Sequence, residues 1–124
     1  MKIVRVDVFG YALTYVGGAY AMSGGRVVDS LESTVVRVVT DDGVEGFGET
    51  CPLGSAYLPA HAGGARAALR ELAPAVLGID PMETSVVCDR MDAALLGHPY
   101  AKSAVDVACW DATPSYARHQ FHRC

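Results

Sequence analysis

The sequence lacks the features that mark membrane, secreted and nucleic-acid-binding proteins. No apolar run reaches the about 20 residues that a transmembrane helix needs. Residues 1–7 carry charge too early for a secretory signal. The 10 Lys and Arg residues are outnumbered by 14 Asp and Glu and are scattered, so no basic cluster marks a nucleic-acid-binding surface. We therefore expect a cytoplasmic protein with neither a membrane nor a nucleic acid as partner.

The pattern of cysteines is also uninformative for catalysis or metal binding. The four cysteines form no CxxC pair, which argues against a zinc site. Cys88 and Cys109 lie in helical patterns beside apolar residues, and we expect both to be small buried side chains. The sequence contains no recognisable Ser–His–Asp arrangement or P-loop.

What is present suits one globular domain. The 124 residues are 51% hydrophobic and 19% charged, enough apolar side chain for a single core. Alternating or β-branched residues predict strands over residues 2–13, 33–40 and 44–50, and Asp41-Asp42-Gly43 predicts a tight turn between the last two. The glycine-rich segment 16–26 opposes regular structure and predicts a mobile loop.

Three helical patterns follow the predicted strands. The first covers residues 61–76 and is rich in alanine. The second is predicted to begin with Asp80 as its cap and Pro81 as its first residue, and to end before Gly97-His98-Pro99. The third covers residues 100–112. The fold class is therefore α+β: a three-stranded antiparallel meander followed by a bundle of about three helices.

The third strand predicts two different faces. Glu45, Phe47 and Glu49 share one face because side chains alternate along a strand. Gly46 and Gly48 share the other, which indicates that another element packs close to the backbone there. Together with Asp41 and Asp42 in the turn, Glu45 and Glu49 form the densest acidic cluster. A cation site would need these oxygens to converge, and a solvated sheet edge explains their placement better.

Three stretches together resemble the N-terminal capping domain of the enolase superfamily, in its mandelate racemase and muconate lactonizing enzyme branch. They are the hairpin 40–49, the helix junction Gly78-Ile79-Asp80-Pro81, and residues 101–111 with Trp110-Asp111. Within this branch the chain looks most similar to epimerases and dehydratases of proline betaine and hydroxyproline derivatives. The residues behind this second likeness are Tyr20, the stretch 22–26, and the stretches 50–54 and 57–61.

The resemblance implies how the chemistry is divided. In the family, Mg²⁺ stabilises an enediolate, and the metal ligands and the acid–base residues stand on a (β/α) barrel. That barrel needs roughly 200 residues or more. We therefore expect no catalytic residue, no metal ligand and no cofactor in this chain, with Mg²⁺ belonging to the parent enzyme.

The family's function nevertheless suggests a role for this chain, that of a specificity cap. The resemblance implies that two segments, about residues 14–29 and 51–60, close over the barrel and shape the substrate pocket. Tyr57 is the first candidate for substrate contact, because its ring could hold a quaternary ammonium group; a half-buried loop anchor is the alternative. Tyr20 and Met22 are further candidates, with ordinary exposed apolar side chains as their alternative.

Two predictions concern the rest of the chain and its partners. Residues 1–112 are expected to form the capping domain, and residues 113–124 fit the family poorly, as a frame-shifted or disordered tail would. The expected parent is a racemase, epimerase or dehydratase of a small carboxylate, and the chain alone is expected to be inactive. The alternative is a non-catalytic binding module that forms homo-oligomers through the face stripped of its barrel.

Overall fold

The computed structural model describes residues 1–14, 20–22, 26–28, 30–53 and 60–114, with backbone alone at 20–22 and 26–28. It confirms the predicted α+β arrangement of three antiparallel strands followed by three helices, and adds a two-stranded sheet. The elements are β1 (Ile3–Thr14), β2 (Tyr20–Met22), β3 (Arg26–Val28), β4 (Ser30–Thr40), β5 (Glu45–Thr50), α1 (Ala62–Val76), α2 (Thr84–Ala94) and α3 (Pro99–Ala112).

The main sheet has the order β1-β4-β5, so β4 is its central strand. β4 pairs with β5 as far as Thr34 opposite Thr50, whereas β1 and β4 stay paired as far as Thr14 opposite Ser30. The pair formed by β1 and β4 therefore extends beyond the end of β5 as a two-stranded arm. We call residues 11–14 and 30–33 the β1–β4 arm.

The short strands β2 and β3 pair with each other in antiparallel register. The prediction that segment 16–26 lacks regular structure is therefore wrong for Tyr20–Met22 and for Arg26. Strand propensity depends on context, and the residues of β2 and β3 form backbone pairs that the glycine content of the segment as a whole does not predict.

The core lies between the helices and one face of the main sheet. β4 turns alternate residues toward the helices, including the fully buried Val36 and Val38. The helices contribute Leu69, Leu72, Val87, Met91 and Val105, among others.

The prediction of close packing at Gly46 and Gly48 is confirmed. A Cβ on Gly46 would lie 2.6 Å from the amide nitrogen of Ala112, and one on Gly48 would lie 2.9 Å from the carbonyl carbon of Ala104. Real Cβ atoms do not approach backbone so closely. Helix α3 can therefore pack directly on the backbone of β5 only because these positions have no side chain.

The helix boundaries follow the sequence except at α2. His61 caps α1, its Nδ1 accepting the Gly64 N–H at 3.0 Å. α2 begins at Thr84 and not at Pro81, because Asp80 forms a separate turn: its Oδ1 accepts the Met82 N–H at 2.9 Å. The predicted cap is thus a turn residue, a role that Asp fills equally well.

Two further predictions can be compared with the described structure. Cys109 is free and fully buried, as expected. Cys88 is only partly buried and takes part in a disulfide bond, so the prediction of a small buried side chain is wrong there. Each helix within the described ranges is too short or too polar to span a lipid bilayer.

Candidate functional site

The two segments predicted to face substrate leave the sheet at the same end. β1 ends at Thr14 and β4 begins at Ser30, on either side of the first segment. β5 ends at Thr50, opposite Thr34 of β4, immediately before the second segment. The base of the β1–β4 arm is therefore where both segments are attached, and we take it as the candidate functional site.

On the sheet face away from the helices, Glu49 of β5 holds the arm. Its Oε2 accepts a hydrogen bond from the Ser33 hydroxyl at 2.6 Å and another from the Tyr11 hydroxyl. Tyr11 and Ser33 are direct cross-strand partners, so both can reach one carboxylate. The hydrogen bond from Ser33 is the larger cause of a lowered pKa of Glu49, and the bond from Tyr11 adds to it. The same bond to Glu49 raises the pKa of Tyr11.

On the helix-facing side, Arg66 of α1 holds the same base. Its Nε donates to the Thr34 hydroxyl at 3.1 Å, and its Nη2 donates to the Ser33 carbonyl oxygen at 3.2 Å. The same Nη2 lies 2.9 Å from a carboxylate oxygen of Glu32. A Cβ on Gly10 would lie 2.6 Å from Cζ of Arg66. Gly10 is therefore the gap in β1 into which the guanidinium group fits.

The start of α1 connects both attachments. His61 follows the second predicted segment directly and caps the helix, and Arg66 stands five positions later on the same helix. Because α1 contacts β1 and β4 and its Arg66 bonds to Thr34, the far end of the second segment is fixed to the sheet at the base of the arm.

Farther along the same outer face, charge is neutralised within the sheet. Asp7 accepts hydrogen bonds from Arg5 Nε at 3.0 Å and from Arg37 Nη2 at 2.7 Å. The Arg37 guanidinium also lies 5.0 Å from the centroid of the Phe9 ring, a cation–π geometry. The hydrogen bond from Arg37 holds the pKa of Asp7 below its usual value. The Asp7 carboxylate and the two guanidinium groups interact with one another on the sheet surface, so this network has a structural role.

The acidic cluster seen in the sequence does not converge. Asp41 accepts the Lys2 N–H at 2.9 Å, Asp42 accepts the Thr40 hydroxyl, Glu45 is exposed and Glu49 is held by the arm. Within the described ranges no three His, Cys, Asp or Glu side chains are grouped so that they could hold a metal ion. The described residues thus do not fit the Mg²⁺ that the resemblance assigns to the parent enzyme.

The structure leaves the predicted substrate contacts open. Tyr57 lies outside the described residues. Tyr20 and Met22 are in β2, where the backbone is described but the side chains are not. The residues predicted to meet substrate therefore remain predictions.

Sequence reasoning missed the two residues that hold the arm. Glu49 is only one of four acidic residues in its region, and Arg66 is one of several charges on an alanine-rich helix. One signal was available: Gly10 interrupts an otherwise strand-forming run, which often marks close approach by another group. The sequence does not reveal which group approaches, because α1 lies more than fifty positions away.

Comparison with known proteins gives the family. Residues 20–120 match the model of the mandelate racemase / muconate lactonizing enzyme N-terminal domain. The chain is 50% identical over 111 residues to cis-3-hydroxy-L-proline dehydratase of Roseibium aggregatum, an alignment that covers 90% of this chain and 30% of the relative. It is 30% identical over 111 residues to N-succinyl-L-Arg/Lys racemase of Bacillus cereus, with the same coverage.

Solved structures agree with the sequence relatives. An enolase-superfamily member from Roseovarius nubinhibens, crystallised with magnesium, superimposes with a TM-score of 0.81 at 46% identity, covering 90% of this chain and 29% of that one. This chain thus spans about 30% of the length of the relatives it matches. The match over most of its residues and the shared fold show that the chain belongs to the mandelate racemase/muconate lactonizing enzyme N-terminal domain family of the enolase superfamily.

Proposed function

We propose that this chain is the substrate-specificity cap of a Mg²⁺-dependent racemase, epimerase or dehydratase, and that it catalyses no reaction as a separate chain. The observation that carries the proposal is the 50% identity to a hydroxyproline dehydratase over a region that makes up 30% of that enzyme. Identity at this level over a whole domain supports the same domain role.

The same comparison supports a substrate class. Identity to the hydroxyproline dehydratase is 50%, against 30% to the N-succinyl-Arg/Lys racemase over the same number of residues. We therefore propose a small carboxylate, such as a hydroxyproline or proline betaine derivative, as the substrate of the parent enzyme. Mg²⁺ would belong to that enzyme, with its ligands on a barrel, and we assign no catalytic step to the residues described here.

The cap's own contribution is to bind and enclose the substrate. Tyr57, Tyr20 and Met22 are proposed to contact it, with the Tyr57 ring facing a cationic nitrogen. Apolar and aromatic groups suit this task because they exclude water from a site where charge develops. Contact with substrate requires the barrel, so the isolated chain is expected to bind it weakly.

A domain exchange tests the proposal directly. Residues 1–112 of this chain would replace the matching segment of the Roseibium aggregatum dehydratase, and kcat/KM would be measured with cis-3-hydroxy-L-proline and with N-succinyl-L-arginine. We expect the chimera to keep its preference for the hydroxyproline. A Tyr57→Ala chimera is expected to lose about tenfold in kcat/KM, the effect of one lost binding contact of ordinary strength.

The matched control is Leu96→Ala, since Leu96 is an apolar side chain that is 86% exposed and lies in the connection between α2 and α3. A folded chimera without turnover of either substrate would contradict the cap role. A Tyr57 effect no larger than the Leu96 effect would remove Tyr57 from the substrate contacts. Separately, exchange of an α-proton of hydroxyproline with deuterated solvent, catalysed by the isolated chain with Mg²⁺, would contradict the absence of activity.

A second candidate function, a self-associating module, is favoured by the outer face of the sheet. Four apolar side chains on this face are at least 41% exposed: Phe9, Tyr11, Leu13 and Phe47. The exposed face of an antiparallel sheet is usually polar, and large apolar side chains exposed on one face commonly mark an interface. We propose a second copy of this chain as the occupant of this face when no barrel is present.

Light scattering coupled to size-exclusion chromatography tests self-association. The full chain is expected to run as a dimer at about 100 µM, a concentration above the Kd of a weak interface. Phe9→Ser/Phe47→Ser is expected to run as a monomer, whereas Leu96→Ser, which removes a more exposed apolar side chain elsewhere, is expected to leave the dimer intact. A monomeric parent chain at this concentration would rule the module out.

A further inference from the structure

Glu49 belongs to β5, but its carboxylate is held by the other two strands of the main sheet. The hydroxyls of Tyr11 in β1 and Ser33 in β4 both donate to the same oxygen, Oε2. Glu49 itself pairs with Val35 in the backbone register, two residues from Ser33 along β4. The side chain therefore reaches diagonally past the end of the three-stranded region to the arm.

This arrangement joins the ends of three strands at one atom. Tyr11 lies three residues before the end of β1, Ser33 lies three residues after the start of β4, and Glu49 is the last residue but one of β5. The arm extends beyond β5 and has only two strands, and two strands alone are marginally stable in water. Hydrogen bonds to a carboxylate are among the stronger ones in proteins, so this atom can determine how the arm leaves the sheet.

Arg66 supports the opposite side of the same place. Its bonds to the Thr34 hydroxyl and the Ser33 carbonyl oxygen hold β4 from the helix side, while Glu49 holds the Ser33 side chain from the outer side. Ser33 is fully buried between them. The arm is therefore fixed from α1 on one face, and Glu49 is the group that adds β5 to this fixed unit.

We propose that Glu49 is a positioning residue that couples the end of β5 to the base of the β1–β4 arm. Through this coupling it sets the relative placement of Thr14, Ser30 and Thr50, the strand ends from which the cap's two proposed substrate-facing segments leave the sheet. The last step rests on the proposed function, whereas the coupling of the strand ends is a property of this chain alone.

The chemistry of the position makes the proposal specific. Two hydroxyl donors need one oxygen acceptor at the end of a side chain of this length. Glutamine retains such an oxygen without the charge, and methionine has a similar length but only a weakly accepting sulfur. The coupling should therefore survive Glu49→Gln in large part and fail in Glu49→Met and Glu49→Ala.

Hydrogen exchange of individual backbone amides, measured by NMR on the full chain, tests the coupling. In Tyr11→Phe/Ser33→Ala, which removes both donors, we expect the Thr50 amide on β5 to exchange faster, about fivefold per lost hydrogen bond. In Glu49→Ala, the amides of residues 30–33 on the arm are expected to exchange faster by a similar factor. Glu45→Ala is the matched control, since Glu45 is exposed on the same face of the same strand.

Global destabilisation is separated from coupling by the core amides of α3, whose exchange rates report the unfolding of the whole domain. Coupling predicts faster amide exchange in a strand that does not carry the mutation, while the exchange rates of the α3 amides stay constant. It also predicts that exchange on the arm returns toward the parent rate in Glu49→Gln but not in Glu49→Met. Effects confined to the mutated strand, or equal behaviour of the Gln and Met variants, would overturn it. If the exchange experiment shows no coupling while the chimera is active, the cap role stands and the positioning role of Glu49 does not. If the exchange experiment shows coupling while the chimera is inactive, only the cap role is contradicted.

Discussion

The close contact between β5 and α3 allows a quantitative prediction for Gly48→Ala. The added Cβ would lie 2.9 Å from the carbonyl carbon of Ala104 and 3.0 Å from the amide nitrogen of Ala108. It would lie closer still to the Ala104 carbonyl oxygen, and all three atoms are backbone atoms of α3. No side chain can rotate away, so strand and helix must separate by about 1 Å or more to restore normal contact distances.

Such a separation would disturb the helix face that carries Ala104, Val105 and Ala108 into the core. Overpacking a core typically costs about 1–3 kcal/mol, and a clash with rigid backbone belongs at the upper end. We therefore expect Gly48→Ala to lower the free energy of unfolding by about 3 kcal/mol. Urea denaturation followed by circular dichroism measures this change, with the fluorescence of Trp110 on α3 as an independent probe.

Two further variants make the test specific. Gly63→Ala places its Cβ 3.3 Å from the ring of His61, a side chain, and stands in the exposed first turn of α1. It is expected to change stability by less than about 1 kcal/mol, since alanine favours the helix. Gly46→Ala/Gly48→Ala should cost less than the sum of the single variants, because one shift of α3 relieves both clashes. A loss below about 1 kcal/mol for Gly48→Ala would refute the close-packing argument.

Three other predictions follow from single side chains. Arg66→Met is expected to lower the free energy of unfolding by about 1–2 kcal/mol in urea denaturation, because the partners of two hydrogen bonds are left without a donor; an unchanged midpoint would contradict this. Burial raises the pKa of Cys109 to about 12. At pH 8 Ellman's reagent should therefore modify Cys109 at least about a hundredfold more slowly than the half-buried Cys51. Equal modification rates for the two cysteines would contradict the burial of Cys109. Because the pKa of Glu49 is lowered in the folded protein, the charged carboxylate contributes fully to stability above its ordinary pKa of 4.5, and this contribution is lost as the pH falls through the folded-state pKa. The difference in unfolding free energy between the parent chain and Glu49→Gln should therefore shrink between about pH 5 and pH 2, in the manner of a single titration. A difference that stays constant over this range would contradict the role of the carboxylate.

Local patterns were sufficient for most of the fold. Alternating and β-branched residues placed the three long strands, and the glycines at two alternate positions of β5, Gly46 and Gly48, predicted the close approach of another element. The predicted start of α2 was wrong because Asp80 suits both a turn and a helix cap. Only the backbone hydrogen bonds of the residues that follow Asp80 distinguish the two. β2 and β3 were missed because their stability comes from pairing with each other, which a list of propensities does not contain.

The acidic residues near the hairpin illustrate the same division at the candidate site. In sequence Asp41, Asp42, Glu45 and Glu49 look equivalent. In the structure three of them are turn or surface groups, and Glu49 alone among the four meets two hydroxyl groups of other strands. The difference depends on strand register, because only the pairing of Tyr11 with Ser33 brings both hydroxyls to one carboxylate.

By itself the sequence determined the α+β fold, the order of the three long strands and three helices, the faces of β5 and the family, since these depend on residue periodicity and on motifs that lie close together in the chain. The tertiary structure decided that Gly10 makes room for Arg66, that α3 rests on Gly46 and Gly48, and that Glu49 joins the ends of three strands. These contacts join residues that lie at least 16 positions apart in the chain. Their partners are selected by strand register and helix packing, which no local pattern records.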